Sequence, residues 1–331
     1  MGDSKTTKKT DLYPLEFIPI PKKRIWGGNK LKQDWNKDFL EESIGESWEL
    51  SGQAENVSRV KNGPLKGKLL TELIDLYGTE LLGEKPRVKN KNDFPLLFKF
   101  IDARDDLSVQ VHPDDVAAKQ RHGCAGKTEM WFVADAEPRS KLFAGFSRQT
   151  NAAEYRDLVL NGRLEEVLQK EVVKKGDAFF IPSGTVHGIG AGVLVAEIQQ
   201  SSDITYRIYD YNRKDENGVK RELHIEQSFD VVNFENAASC KINYKEIEDG
   251  VAAIAVCPYF TVNFIKPVSL VKRDLTKTGA FAVYMCIDGE AVLNACGKTA
   301  PLKKGSTILV PAILNSNISI TGRCSVLETS L

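Results

Sequence analysis

Polar side chains alternate with valines in a short segment whose residue types could bind a metal ion. In SVQVHPDD (108–115), Ser108, Gln110 and His112 stand at every second position. In a β-strand this spacing places the three polar side chains on one face and the two valines on the other. Pro113 cannot donate a hydrogen bond to a neighbouring strand, so the strand should end there. We therefore expect a polar face at a strand end.

A carboxylate lies within a second alternating segment. In GKTEMWFVAD (126–135), Lys127, Glu129 and Trp131 share one face of a predicted strand. Burying a carboxylate among apolar neighbours costs free energy unless a charge, a hydrogen bond or a metal ion compensates it. Glu129 is therefore a candidate ligand.

A histidine follows a turn in a third segment, GDAFFIPSGTVH (176–187). The glycine and proline residues favour a turn, which predicts a short strand with an inward-pointing His187 side chain. The three segments together supply two imidazole nitrogens and two oxygens, a mixture that zinc accepts with bonds of about 2.0–2.2 Å. The candidate ligands for one divalent metal ion are Gln110, His112, Glu129 and His187.

The chain has four histidines, so each can be considered individually. His122, in the polar segment KQRHG, and His224, in KRELHIEQ, lack comparable surroundings and are assigned to surface or packing roles. An isolated histidine near a strand end is more often a structural group than a ligand. Spacing alone therefore leaves the metal site and a satisfied core equally open.

Composition excludes several classes of partner. The 45 basic residues balance the 45 acidic ones, so no global field holds the chain on nucleic acid or an anionic membrane. Any anionic partner should be small and recognised locally. Six cysteines without a Cys-x-x-Cys pair indicate reduced thiols of a cytoplasmic protein. The sequence lacks a signal-peptide pattern and an apolar run of the roughly 20 residues that a membrane helix needs.

Short strands rich in Val, Ile, Phe and Tyr dominate the sequence and predict a mainly β fold built from barrels or sandwiches. Two segments have helical spacing and should pack on the β core as peripheral helices. One is KGKLLTELIDLYGTELLG (66–83), and the other is TNAAEYRDLVLNG (150–162), with Thr150 as its N-cap and Gly162 beyond its end.

A weak internal repeat predicts two β-barrel units. GDAFFIPSG (176–184) and GSTILVPAI (305–313) share a glycine, five residues and a proline, and each follows a Lys-Lys pair. We expect a tail over residues 1–11, a catalytic unit over 12–245 and a C-terminal barrel over 246–331. The second copy has Ile313 and Ser316 where the first has Gly184 and His187, so the second barrel should lack a metal site.

These motifs resemble those of a known family. Gly176, Pro182, Gly184 and His187 resemble the second metal-binding motif of cupins, and SVQVHPDD with GKTEMW resembles the first motif of type I mannose-6-phosphate isomerases (phosphomannose isomerases). The compact region between the motifs is similar to the short bacterial form. The resemblance covers most of residues 12–230, with further matching segments NGPLKGKLLTELI (62–74), FPLLFKFIDARDDLSVQVHPDD (94–115) and VLVAEIQQSSDITYRIYDYNR (193–213).

The resemblance implies two cupin (jelly-roll) barrels, one zinc ion per chain and a reversible interconversion of mannose 6-phosphate and fructose 6-phosphate. In the family, the metal is held by residues that match Gln110, His112, Glu129 and His187, and an arginine that matches Arg207 is treated as catalytic. Some members carry a tyrosine two residues beyond the last histidine. This chain has Ile189 there, so that phenol contact is absent.

The residue types suit this reaction. Isomerisation of an aldose to a ketose passes through an enediol(ate), so the site needs positive charge and an acid/base. Lys99 inside the apolar LLFKF, Ser108 and Lys127 converge from the same segments and are expected to bind the phosphate. Arg207 alternates with neighbouring polar residues in DITYRIYD, and arginine forms paired bonds to phosphate or an enediolate.

The base for the proton transfer is left open by the sequence. Glu197 and Asp203 match acidic positions of the family and are assigned to substrate binding, and Glu49 in SWELSG could contribute. Lys99 or Lys127 could act if burial or the nearby cation lowers its pKa. Arg207 is the residue assigned to catalysis.

Two other functions compete with the isomerase. A non-catalytic cupin would bind a sugar phosphate without converting it, as a carbohydrate-binding or regulatory module. A metal-dependent oxygenase is less favoured, because a His/Gln/Glu/His ligand set leaves fewer open positions than a facial triad. The expected assembly is a monomer or a small homo-oligomer.

Overall fold

The computed structural model describes residues 11–85, 93–215, 217–234 and 239–331, so residues 1–10 of the expected tail lie outside the described residues. Within these ranges the chain forms 23 strands and six α-helices, which confirms the mainly β prediction. None of these helices is long and apolar enough to cross a bilayer.

The strands and helices follow in chain order. The strands are β1 (Leu15–Ile18), β2 (Ile20–Gly28), β3 (Ile44–Leu50), β4 (Gly52–Gln53), β5 (Asn56–Val57), β6 (Arg59–Val60), β7 (Leu96–Ala103), β8 (Val109–Val111), β9 (Glu129–Ala136), β10 (Lys141–Phe146), β11 (Leu168–Val172), β12 (Ala178–Ile181), β13 (His187–Ile189), β14 (Val193–Gln200), β15 (Tyr206–Tyr209), β16 (Lys241–Ile242), β17 (Val251–Val256), β18 (Thr261–Ile265), β19 (Leu270–Arg273), β20 (Ala282–Ala295), β21 (Lys298–Lys303), β22 (Thr307–Val310) and β23 (Ile318–Ser330). The α-helices are α1 (Lys30–Asp34), α2 (Leu70–Tyr77), α3 (Thr79–Leu82), α4 (Asp115–His122), α5 (Ala152–Leu160) and α6 (Ile225–Phe229).

Two antiparallel sheets form the first barrel. The seven-stranded sheet has the order β16-β12-β9-β14-β7-β2-β3, and the five-stranded sheet has the order β11-β10-β13-β8-β15. Apolar side chains from both sheets share one core, which joins Trp131 and Val133 of β9 to Leu142 of β10 and Ile189 of β13. This packing brings the inner faces of the two sheets together, as expected for a jelly roll.

A nine-stranded sheet forms the C-terminal unit. Its main path is β17-β18-β23-β20-β22-β1-β6, with β19 on β23 and β21 on β20. The chain's first strand joins this sheet, because Leu15 pairs with Leu309 and Glu16 with Ile308. The expected boundary between residues 245 and 246 stays a prediction, and the hydrogen bonds of β1 cross it.

The two copies of the internal repeat form strands that begin after similar glycine turns. Gly176 and Gly305 precede β12 and β22 with φ angles of 93° and 83°, a backbone region that favours glycine. Each glycine therefore allows the tight turn from which its strand begins.

The predicted helices differ from the observed ones at their ends. Gly78, with φ 49°, ends α2 and separates it from α3, so the predicted single helix over 66–83 is two short ones. Helix α2 begins late because the Glu72 carboxylate accepts a hydrogen bond from the Leu69 N–H at 2.6 Å. Asn151, rather than Thr150, caps α5, since its side chain accepts a hydrogen bond from the Glu154 N–H.

A large apolar core joins the two units. Met130 and Phe132, on the face of β9 opposite Trp131, belong to it together with residues of the C-terminal sheet. Phe132 stacks on Phe264 of β18 with ring centroids 5.4 Å apart and planes at 13°. The C-terminal unit therefore supports the strand that begins at Glu129.

Replacement of Phe264 by alanine should lower the free energy of unfolding by about 3–5 kcal/mol, because it removes a buried ring and leaves a cavity between the units. Urea unfolding followed by intrinsic fluorescence measures this change. Val256→Ala, at a side chain that is 73% exposed, is the control and should stay within about 0.5 kcal/mol of the parent. Equal stability of the two variants would contradict a shared core.

Candidate metal centre and active site

The five-stranded sheet aligns three of the predicted site residues. In strand register, Gln110 of β8 lies opposite His187 of β13 on one side and opposite Arg207 of β15 on the other. Glu129 begins β9 in the facing sheet. His112 follows the end of β8, directly before Pro113, as the alternation predicts. The site is therefore built from both sheets at one end of the first barrel.

Backbone carbonyls orient both imidazoles. His112 Nδ1 lies 2.9 Å from the Ile204 oxygen, and His187 Nδ1 lies 2.8 Å from the Thr185 oxygen. A carbonyl only accepts, so each Nδ1 carries the proton and each Nε2 presents its lone pair as an acceptor. Burial, followed by the charge of Lys127, lowers the pKa of His112 to about 3. Burial also lowers the pKa of His187, so both rings are neutral at pH 7.

Both imidazoles direct Nε2 at the fully buried Glu129. His112 Nε2 is 3.4 Å from Glu129 Oε2, and His187 Nε2 is 3.4 Å from Glu129 Oε1. Neither oxygen accepts a regular hydrogen bond from the described residues. The compensation of this buried carboxylate must therefore come from an ion pair or a bound cation.

A lysine ammonium lies beside the same atoms. Lys127 Nζ is 2.9 Å from His112 Nε2 and 3.0 Å from Glu129 Oε2. Burial raises the pKa of Glu129, but Lys127 and the two histidines outweigh burial and hold it well below its usual value. Glu129 is therefore ionised, and these ligand atoms attract positive charge.

The amide of Gln110 completes the cluster. Its Nε2 lies 3.3 Å from His187 Nε2. A half-turn of the terminal amide exchanges Nε2 and Oε1 without moving the rest of the side chain. In that orientation the amide oxygen faces the same region as the imidazole nitrogens.

The donor set fits a divalent metal ion. Among the described residues, His112, Glu129 and His187 form a buried group whose ligand atoms all lie within 4.8 Å of one another. Zinc bonds of about 2.0–2.1 Å in a tetrahedron imply ligand–ligand edges of about 3.4 Å. The two histidine–glutamate distances of 3.4 Å match those edges.

A cavity of about 540 Å³ adjoins the cluster. Its lining includes residues from both sheets and from the segments that follow β14 and β15. The sequence-predicted site residues that line it are Lys99, Ser108, Gln110, Lys127, Glu197, Asp203 and Arg207. The other three predicted ligands, His112, Glu129 and His187, form the buried cluster beside Gln110 and Lys127.

Lys99 and Glu197 form a buried ion pair in the cavity wall, with Lys99 Nζ 3.0 Å from Glu197 Oε1. Burial lowers the pKa of Lys99, but Glu197, Glu46 and Asp203 together raise it above its usual value. These contacts favour the protonated form of Lys99, and its use as a neutral base stays a prediction. Burial raises the pKa of Glu197, whose other oxygen accepts a hydrogen bond from Trp131 Nε1 at 2.9 Å.

Arg207 is held by its backbone and by one end of its guanidinium. The Arg207 N–H donates to His224 Nδ1 at 3.2 Å, and Arg207 Nη1 donates to the Glu222 carbonyl at 2.8 Å. Its Nε is buried and has no hydrogen-bond partner among the described residues. His224, assigned to packing, thus helps to position Arg207. His122 lies 2.8 Å from the Tyr206 hydroxyl.

Sequence reasoning missed Arg24, Glu46 and Arg221, which also line the cavity. Glu46 accepts hydrogen bonds from Arg24 Nε and Trp48 Nε1, both at 2.7 Å. Burial raises the pKa of Glu46, but Lys99 and Arg24 bring it down to about 2.

The expectation for Glu49 is wrong. Successive residues of a strand point to opposite faces, so Glu49 turns away from Glu46 and lies 2.6 Å from Lys37 beside another cavity. Alternation in GESWEL could have predicted that Glu46 and Glu49 lie on opposite faces of the strand. Sequence alone does not say which of these faces is the inner one.

Known proteins resemble this chain along nearly its whole length. A model of the type I phosphomannose isomerase catalytic domain matches residues 15–140, and a model of the mannose-6-phosphate isomerase cupin domain matches residues 252–330. Mannose-6-phosphate isomerase of Streptococcus mutans is 38% identical over 304 residues, which cover 92% of this chain and 94% of that protein. Mannose-6-phosphate isomerase ManA of Bacillus subtilis is 37% identical over 308 residues, which cover 90% and 93%.

Solved structures agree with these relatives. The crystal structure of mannose 6-phosphate isomerase from Bacillus subtilis aligns with a TM-score of 0.86 at 32% identity and covers 97% of this chain and 100% of that one. The apo enzyme from Salmonella typhimurium, at 16% identity and a TM-score of 0.76 over 96% and 99% of the chains, shares the fold. The match of both domain models and of relatives above 30% identity shows that this chain belongs to the type I mannose-6-phosphate isomerase family.

Proposed function

We propose that this protein is a zinc-dependent isomerase that interconverts D-mannose 6-phosphate and D-fructose 6-phosphate through an enediol(ate). The observation that carries the proposal is the buried His112, Glu129 and His187 cluster beside a cavity that contains Arg207. Family membership supplies the substrate, since the relatives are mannose-6-phosphate isomerases. The cytoplasmic location and the small assembly stay predictions.

The candidate ligands would hold one zinc ion. Gln110, His112, Glu129 and His187 carry a single negative charge between them, because burial keeps the histidines neutral. When bound, zinc would supply a Lewis-acidic positive charge that stabilises negative charge on substrate oxygens.

The cavity residues supply the remaining electrostatics. Arg207 lies opposite Gln110 in strand register and lines the cavity, where its guanidinium can donate to an enediolate oxygen. Lys99 stays protonated and adds fixed positive charge. Ser108, which is 4% exposed, lines the same wall and can orient a sugar hydroxyl.

Two predicted acidic residues differ in their surroundings. Glu197 is buried and lines the cavity, and burial raises its pKa, which makes its carboxylate a stronger base. Asp203 is exposed on the cavity lining and suits contact with sugar hydroxyl groups. We therefore assign the proton transfer to Glu197 and substrate binding to Asp203.

The decisive experiment combines metal analysis with turnover. Purified protein should contain about one zinc ion per chain, convert mannose 6-phosphate to fructose 6-phosphate in a coupled assay, lose activity on chelation and regain it with Zn²⁺. Metal-loaded protein that binds the sugar phosphate without turnover would instead identify the non-catalytic cupin.

His187→Ala should lower the bound zinc by at least about tenfold, because it removes a ligand and leaves Glu129 without one of its partners. Inductively coupled plasma mass spectrometry of dialysed protein measures the content. The control is His122→Ala, since His122 contacts Tyr206 and lies outside the cluster. Unchanged zinc in the His187 variant would exclude this ligand set.

Arg207→Ala should keep zinc and fold but lower kcat by about 100-fold or more, because a preorganised charge near the reacting oxygens is lost. Arg207→Lys should recover part of the rate, since it restores the charge without the planar donor pair. Rate and zinc content are measured on the same samples. Loss of zinc with retained specific activity per bound ion would assign Arg207 to the metal site instead.

A further inference from the structure

The active-site cavity carries an excess of positive charge, although the whole chain is neutral. Six cationic side chains and four carboxylates line it, which leaves an excess of two positive charges. Glu129 lies beside the lining as a candidate ligand, and a divalent ion would more than offset its charge. The cationic residues are Lys23, Arg24, Lys99, Lys127, Arg207 and Arg221.

The two deepest cations are already compensated. Lys99 lies 3.0 Å from Glu197, and Lys127 lies 3.0 Å from Glu129, with both lysine side chains 4% exposed. A phosphate bound to either lysine would compete with a buried carboxylate. The sequence-based assignment of both lysines to the phosphate is therefore not the arrangement that these contacts favour.

Three arginines cluster nearer to solvent. The pKa of Arg207 is lowered, first by burial and then by the charge of Arg221, with smaller effects from Arg213 and Arg24 and an opposing effect from Asp210. Arg24, Arg207 and Arg221 all line the same cavity. Three guanidinium groups on one cavity lining favour the binding of an anion there.

Arg24 and Arg221 also pair with carboxylates, but they differ from the two lysines in keeping accessible N–H donors. Arg24 uses Nε to reach Glu46 at 2.7 Å, and Arg221 uses Nε and Nη2 to reach Asp210. Each guanidinium has five N–H donors, so these contacts fix its orientation without exhausting it. Their side chains are 34% and 24% exposed, so both are accessible from solvent.

We propose that Arg24 and Arg221 bind the phosphate group of the substrate at the outer end of the cavity, while the reacting carbons lie at the inner end beside Gln110. This inference rests on the proposed function for its substrate. A phosphomonoester carries about −1.5 to −2 charges at pH 7, which matches the excess positive charge of the lining. Arginine also offers the planar donor pair that phosphate accepts.

The arrangement places Arg207 between the two ends. Its strand partner Gln110 is a candidate ligand, and the proposed phosphate-binding arginines line the same cavity. One cavity can thus bind the phosphate of the sugar at one end and hold the reacting carbons beside the catalytic groups at the other.

Arg24→Gln and Arg221→Gln should each raise the KM for mannose 6-phosphate about tenfold or more, with a smaller change in kcat, because a charge-assisted contact to the phosphate is lost. Inorganic phosphate is the second probe. It should inhibit the parent competitively, and each variant should need about tenfold more phosphate for equal inhibition. Calorimetric titration of the zinc-loaded protein with inorganic phosphate gives the same comparison without turnover.

Arg104→Gln is the matched control. Arg104 is an exposed arginine that pairs with Asp105 and donates to the Ile25 carbonyl next to Arg24, but it does not line the cavity. Its removal changes the net charge equally and should leave KM and phosphate binding within about twofold of the parent. Arg24→Lys and Arg221→Lys, which keep the charge, should give intermediate values and serve as the test if a glutamine variant fails to fold.

The outcomes separate this inference from the isomerase proposal. Phosphate binding that depends on Arg24 and Arg221 in a protein without isomerase activity would support the phosphate site and refute the reaction. Normal isomerase activity with unchanged KM and phosphate inhibition in the arginine variants would refute the phosphate site alone. A fall in kcat at constant KM, or parent protein that does not bind phosphate at millimolar concentration, would also overturn it.

Discussion

The site depends on one constraint: the negative charge of the buried Glu129 carboxylate must be offset by nearby groups. Glu129 is fully buried and ionised, which is unfavourable unless neighbouring groups offset the lost hydration. The Lys127 ammonium supplies that compensation, whereas carbonyls of Thr185 and Ile204 hold the imidazole protons on the far side, so the Nε2 lone pairs and the carboxylate together attract a cation. The tight geometry is therefore an electrostatic requirement as well as a candidate ligand set.

The C-terminal barrel contributes to this site through packing. Strand β9 has two faces: Glu129 and Trp131 point into the first barrel, whereas Met130 and Phe132 enter the core shared between the units. Phe132 stacks on Phe264, and β1 adds hydrogen bonds across the same junction. A barrel with no metal cluster among its described residues can thus still hold a ligand-bearing strand in register.

Local patterns predicted the parts of the structure that depend on local geometry. Alternation placed Gln110 with His112, and Glu129 with Trp131, because side chains of a strand alternate whatever the strand packs against. Family resemblance supplied the reaction and the role of Arg207. Arg24 and Arg221 were missed because they reach the cavity from segments almost 200 residues apart, which only the tertiary fold brings to one lining. The helix break at Gly78 depended on one backbone angle that helical spacing does not reveal.

The distribution of charge along the cavity suggests why a neutral ligand suits this site. Each inner lysine is held by a carboxylate and is nearly inaccessible, whereas the outer arginines, Arg24 and Arg221, pair with carboxylates but remain partly exposed and keep further N–H donors. A carboxylate in place of Gln110 would bring a negative charge next to Arg207, its partner in strand register, and would form an ion pair with it. The neutral amide leaves the Arg207 guanidinium available to the substrate. Gln110 thus contributes in two ways: its amide oxygen is a candidate metal ligand, and its neutrality avoids an ion pair with Arg207.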